Sequence, residues 1–142
     1  MRRKYLLDAN HLGAAVNPGS RIRDRLRAEH RAGCVFGTCV LVIGEVEAGF
    51  QQTPDPERNR RALRAVREYV RLWPITEAIA RLYGTLFNDL RSRGRVLSLT
   101  DMFLAALCRQ MNLTLLTTDR DFEALPDIRT ENWLAEPTTP SA

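Results

Sequence analysis

The sequence predicts an α/β domain, with a central parallel sheet of about five short strands and helices on both faces. Three observations lead there. Short apolar runs (residues 4–8, 34–39, 113–117) alternate with longer stretches of helical periodicity. The runs are continuous rather than alternating, as expected of strands buried on both faces. The chain has 142 residues, 44% hydrophobic and 27% charged, which suits one folded domain and excludes a disordered chain. The domain is expected to span residues 1–134, with 135–142 (AEPTTPSA) as a frayed tail.

Taken in order, KYLLD at 4–8 is a buried strand ending in an acid. Asn17-Pro18-Gly19-Ser20 marks a turn, and Ser20 is placed to cap a helix over 21–31 with Ile22 and Leu26 on its inner face. Residues 34–39 form the second strand. The apolar run continues through Ile43, so the border with the next helix is open, but Val46 and Phe50 have helical spacing. Thr53-Pro54-Asp55-Pro56 breaks the chain. A helix follows from Glu57, with Leu63, Val66, Tyr69 and Val70 on one face. Residues 72–75 (LWPI) are a brief edge strand, limited by Pro74. Thr76 caps the most periodic helix of the chain, through Ile79, Leu82, Tyr83, Leu86, Phe87 and Leu90 to Gly94. Ser98 to Asp101 opens another, ending near Met111. Strand 113–117, a short helical segment from Asp119 to Leu125 and a last strand over 127–130 complete the order.

Net charge is +4, and the basic side is almost all arginine, with Lys4 as the single lysine. Arginine grips phosphate bidentately, so a polyanionic partner fits, although a general preference for arginine explains the same count. No apolar run approaches the roughly 20 residues needed to span a bilayer. The basic N-terminus has no signal-peptide core because Asp8 interrupts its apolar stretch, so a cytoplasmic location and no membrane partner are expected. Cys34, Cys39 and Cys108 lack metal-site spacing and are expected as reduced, mostly buried thiols. His11 and His30 form no metal-spaced pair.

Chemistry in an open parallel sheet sits outside the carboxyl ends of its strands. Asp8 ends the first strand and Asp119 follows the fourth, with Asp121 two residues on. Asp101 opens the helix before that fourth strand, and Glu45 lies early in the helix after the second. Clustered carboxylates repel unless protonated or holding a cation. Oxygen ligands without sulfur or imidazole point to Mg²⁺ or Mn²⁺. Each acid also has a plainer role available. Asp8 can cap the helix that follows it, Ser98-x-x-Asp101 and Thr118-x-x-Asp121 fit capping boxes, and Glu45 and Glu47, roughly 200° apart around a helix, can both be solvated.

Four motifs in order resemble those of PIN-domain ribonucleases, and among them the VapC-like toxins of type II toxin–antitoxin pairs: YLLDAN, GEVEAG, LSLTDMFLAALC and LLTTDRDF, with Asn132-Trp133 near the end. The resemblance runs from about Tyr5 to Trp133. It implies a PIN-like domain with strand order 3-2-1-4-5. It also implies an acidic site of Asp8, Glu45, Asp101 and Asp119, with Asp8, Asp101 and Asp119 on the metal. Asn10, Thr117, Thr118 and Asp121 would support the site or position substrate. Ala9 stands where the family commonly has Thr, Val46 where Leu is usual, and Glu47 is an extra acid beside Glu45.

What the resemblance implies functionally is a Mg²⁺-dependent endoribonuclease, with Mn²⁺ as an alternative metal. It would cut tRNA or rRNA to leave 5′-phosphate and 3′-hydroxyl ends, and so inhibit translation. Its implied partners are a cognate antitoxin covering the acidic groove and a second copy in a homodimer. The arginines of 21–31 and 58–71 would wall the groove toward an RNA backbone. Rival readings are a phosphotransfer domain, a non-catalytic nucleic-acid-binding module and a DNA nuclease. A receiver needs an acidic pair after its first strand and a lysine near its last. A haloacid-dehalogenase-like phosphatase needs Asp where Asn10 stands. At 7% aromatic residues, the chain offers no interleaved stacking platform for single strands. Nothing in the residues reads a 2′-hydroxyl.

Overall fold

The computed structural model describes residues 2–135; the expected tail beyond Ala135 lies outside the described residues. Elements follow in the order β1 (Lys4–Leu7), α1 (Ala9–Val16), α2 (Arg21–Arg31), β2 (Val35–Thr38), α3 (Val40–Phe50), α4 (Pro56–Val66), β3 (Val70–Leu72), α5 (Glu77–Ser92), α6 (Leu99–Met111), β4 (Thr114–Leu116) and β5 (Thr130–Glu131). A 3₁₀ turn over Arg120–Ala124 joins β4 to β5. The strands form one parallel sheet in the order β3-β2-β1-β4-β5, which is the order the resemblance implied.

β1 is central. Its Leu6 lies opposite Gly37 of β2 and Leu115 of β4. Leu6, Leu7, Leu115 and Leu116 are wholly buried, which accounts for their unbroken apolar runs. The most deeply buried helix is α6, with Met102 and every residue from Leu104 to Cys108 inside. It packs against α5 through the Tyr83–Phe103 stack, with ring centroids 4.6 Å apart. Ala105 and Ala106 are fully buried, and their small side chains let the helix pack closely on its neighbours.

The expected caps are in place. Ser20, Thr76 and Ser98 each accept a backbone N–H from three residues on. Gly94, at φ +68°, turns the chain out of α5, with Arg95 N–H returning to Leu90 O at 2.8 Å.

Several boundaries differ from the sequence expectation. Residues 9–16 form a helix that periodicity alone did not mark. α4 stops at Val66, so Tyr69 and Val70 leave the helix, and β3 is Val70–Leu72 rather than 72–75. Val70 takes up register with Phe36, and the pairing ends when Trp73 N–H reaches Thr38 O at 2.8 Å, because Pro74 has no N–H to continue it. The border left open after the second strand falls at Cys39, and Val40–Ile43 belongs to α3. The last strand is Thr130–Glu131 rather than 127–130, since Ile128 N–H is spent on a turn to Leu125 O. Cys39 and Cys108 are buried free thiols and Cys34 is a half-buried one.

Candidate active site

Asp8 leaves β1 and caps α1, so its plainer role is real. Its Oδ1 accepts the His11 N–H at 2.8 Å. The His11 ring then returns to the same oxygen, with Nδ1 3.0 Å from Oδ1. His11 is completely buried, and its Nε2 accepts the backbone N–H of Trp133 at 3.1 Å. A nitrogen that accepts carries no proton, so the ring is the Nδ1–H tautomer and donates to Asp8. Burial pushes the Asp8 carboxyl up, but hydrogen bonds from the His11 side chain and backbone and from Thr117 outweigh it and hold the group below its ordinary value.

The other three acids reach the same place from distant segments. Asp8, Glu45, Asp101 and Asp119 line one cavity of about 260 Å³ with Ala9, Asn10, Val42, Ser98, Thr100, Leu104 and Thr117. Glu45 arrives from the middle of α3 and Asp101 from the first turn of α6. Asp119 arrives just after β4, where its N–H is held by Thr117 Oγ1 at 3.0 Å. Asp101 is pushed up to about 6, chiefly by burial, and further by the charge and hydrogen bonding of Asp119 and the charge of Glu45. Burial is the main cause, and the neighbouring acids add to it in the same direction.

The supporting residues separate. Asn10 Nδ2 donates to Thr118 Oγ1 at 2.8 Å, at the rim of the cavity. Thr117 is buried inside it. Asp121 is exposed and lines a neighbouring hollow with Arg95, Leu97 and Arg120; its backbone N–H, not its carboxylate, serves the site by donating to Asp119 Oδ1 at 2.8 Å. The capping box expected at Thr118-x-x-Asp121 is therefore replaced by Asp119 as the cap. Glu47 turns away to Arg60, 3.0 Å from Nε, which leaves Glu45 as the acid of GEVEAG that faces the cavity.

The donor set suits a hard divalent cation: carboxylates on four segments, with both nitrogens of His11 already engaged. Among the described residues no three such side chains are already drawn together around an ion position. Asp101 holds its proton more tightly than an ordinary carboxyl because it is buried and has Asp119 as a hydrogen-bonded neighbour.

His11 is the residue that sequence reasoning passed over. Its only signal was its place three residues after Asp8, one helical turn on and facing the same way. The expected arginine walls also change. Neither α2 nor α4 contributes to the lining of the cavity. Arg23 turns inward to the end of α1, donating to Ala15 O at 2.7 Å and Val16 O at 2.6 Å, and Arg25 lies over the Trp133 ring.

A parallel sheet that gathers four acids at the carboxyl end of its central strands defines the class: an α/β protein with a carboxylate-lined site. The chain belongs to the PIN domain family, which it matches over residues 5–128. It is 29% identical over 106 residues to ribonuclease VapC4 of Mycobacterium tuberculosis, covering 73% of this chain and 82% of the relative. Its fold is similar to that of VapBC2 from Rickettsia felis bound to a promoter DNA fragment, with a TM-score of 0.80 at 21% identity over 92% of this chain and 98% of that one. It is also similar to VapC20 of Mycobacterium tuberculosis, a toxin that cleaves the sarcin-ricin loop, with a TM-score of 0.61 at 19% identity over 84% and 93%. Among the described residues, no helix is long and apolar enough to cross a membrane.

Proposed function

We propose that the protein is a metal-dependent endoribonuclease and the toxin of a type II toxin–antitoxin pair, cutting a tRNA or rRNA and so inhibiting translation. The observation that carries this reading is the convergence of Asp8, Glu45, Asp101 and Asp119 on one cavity. The ribonuclease relative and the sarcin-ricin-loop toxin of similar fold support the substrate class.

Asp8, Asp101 and Asp119 would hold Mg²⁺ or Mn²⁺, with Glu45 completing the acidic set. When bound, such an ion neutralises charge on the phosphate and acidifies a water. The chain's own part is orientation. Asp8 is fixed by His11, Asp119 by the Asp121 N–H of its own turn, and Asp101 by the capped start of α6. Water attacks phosphorus, the bond to O3′ breaks, and O3′ takes up a proton, leaving a 5′-phosphate and a 3′-hydroxyl.

A toxin–antitoxin complex from Klebsiella pneumoniae has a similar fold and supports a cognate antitoxin as partner here, one whose chain covers the acidic cavity. A homodimer is part of the same reading. Incubation of structured RNA with the purified protein tests the activity: cleavage with Mg²⁺, none with EDTA, and none from Asp8→Asn or Asp119→Asn. Cleavage by the Asn variants at the wild-type rate overturns it. Equal cutting of DNA moves the assignment to a general nuclease. RNA binding without turnover reduces it to a binding module.

A further inference from the structure

We propose that His11 is a positioning residue of this site: its Nδ1–H, together with its backbone N–H, occupies Oδ1 of Asp8 and so directs Oδ2 toward the cavity and the metal. The inference rests on the metal-site reading above. Two donors from residue 11 fall on one oxygen, at 2.8 and 3.0 Å. A carboxylate pinned through one oxygen has lost most of its freedom about χ2, so its other oxygen needs no reordering when a cation arrives.

The tautomer is set from outside the acidic site. Nε2 is held as an acceptor by the Trp133 N–H, from a residue 122 positions away in the chain. Trp133 is itself fixed by packing, with ring centroids 5.0 Å from Tyr5 and 5.7 Å from Phe36 and with Arg25 above its ring. The chain after β5 thus orients Asp8 without touching it. His11 is fully buried and reaches neither solvent nor the cavity lining, so it meets no substrate. Its influence passes through Asp8.

Two variants separate the two bonds. In His11→Asn the amide nitrogen stands near the place of Nδ1, keeping the donor to Asp8 and losing the acceptor for Trp133. In His11→Gln the amide oxygen reaches the place of Nε2, keeping the acceptor and losing the donor. Mn²⁺ titrations of the purified protein by calorimetry give the readout without turnover. Loss of an outer hydrogen bond of this kind weakens metal binding by roughly 10- to 100-fold. That weakening is expected for His11→Gln, while His11→Asn stays close to wild type. Wild-type affinity in His11→Gln overturns the proposal, and so does equal weakening in both variants, which marks a packing role.

Asp8→Asn is the separate control. If it binds Mn²⁺ as wild type does, the metal site itself is misassigned, whatever His11 does. If the variants do not fold, the wild-type protein still decides: long-range ¹H–¹⁵N spectra must show the Nδ1–H tautomer at His11 with and without Mg²⁺. An Nε2–H tautomer overturns the proposal.

Discussion

Asn10 Nδ2 donates to Thr118 Oγ1 at 2.8 Å, joining the first turn of α1 to the chain just past β4. The two residues are 108 positions apart, yet each sits beside an acid of the cavity, Asn10 two beyond Asp8 and Thr118 directly before Asp119. The bond is exposed, so its net contribution to stability is about 0.5–1.5 kcal/mol at most. It also ties together the two segments that carry Asp8 and Asp119, the carboxylates proposed to hold the metal. Asn10→Ala and Thr118→Val are each expected to lower RNA cleavage more than they lower the urea midpoint. The double variant should lose little beyond either single one, because the two changes remove the same bond. Additive losses of kcat/KM would show that the bond has no such role.

Asp101 sets a pH dependence with a definite sign. Its folded value, about 6, lies above the ordinary 3.8. Between those limits the metal-free folded state binds the proton more tightly than the unfolded state does. The side chain's contribution is therefore most favourable at low pH and is lost as pH rises through about 6. Asp101→Asn, which cannot ionise, escapes that loss. In EDTA its melting temperature relative to wild type should rise between pH 4 and pH 7. A difference that stays flat across that range would contradict the electrostatic account. Mg²⁺ favours the ionised carboxylate, so the same ion should stabilise wild type more at pH 7 than at pH 5.

Much of this arrangement was legible in the sequence because its signals are local. Continuous apolar runs mark β1, β2 and β4, and an acid at a strand end marks Asp8 and Asp119. What was not legible depends on partners far along the chain. α1 reads Ala-Asn-His-Leu-Gly-Ala-Ala-Val, and its helical character comes from the Asp8 cap and from burial of His11, Leu12, Ala15 and Val16. Tyr69 and Val70 fit a helical stripe, but pairing with Phe36 claimed Val70 for the sheet. His11 gains its role only when Trp133 folds back onto it. Glu45 and Glu47 are separated by Arg60, which takes Glu47 away.

Gly37 is the position in the sheet where the backbone itself is the fitted surface. A Cβ there would lie 2.5 Å from two atoms of the buried Trp73 ring. No rotamer change of residue 37 relieves that clash. Trp73, whose own N–H is tied to Thr38 O, has little room to withdraw. Gly37→Ala should cost about 1–3 kcal/mol, the usual range for overpacking a core, read as a lower urea midpoint with an unchanged m-value. Gly37→Ala in a Trp73→Leu background should recover part of the loss. Unaltered stability of the single variant would mean the ring is not held as the structure has it.

The arginines divide into two groups that one pair of measurements can separate. Arg23 spends its guanidinium on the carbonyls of Ala15, Val16 and Asn17, at the C-terminal end of α1, where positive charge and donors are both favourable. Arg61 and Arg64 are exposed on α4, away from the acid cavity but free to meet a backbone that extends past it. Arg23→Ala should therefore destabilise the fold by about 1.5–3 kcal/mol, as for other charged hydrogen bonds, and leave the salt dependence of RNA binding unchanged. Arg61→Ala with Arg64→Ala should do the reverse, flattening the plot of log affinity against log salt by roughly 0.7 for each single-strand phosphate that no longer meets an arginine. An unchanged slope would assign the α4 arginines to a general preference for that residue and confine recognition to the neighbourhood of the carboxylates.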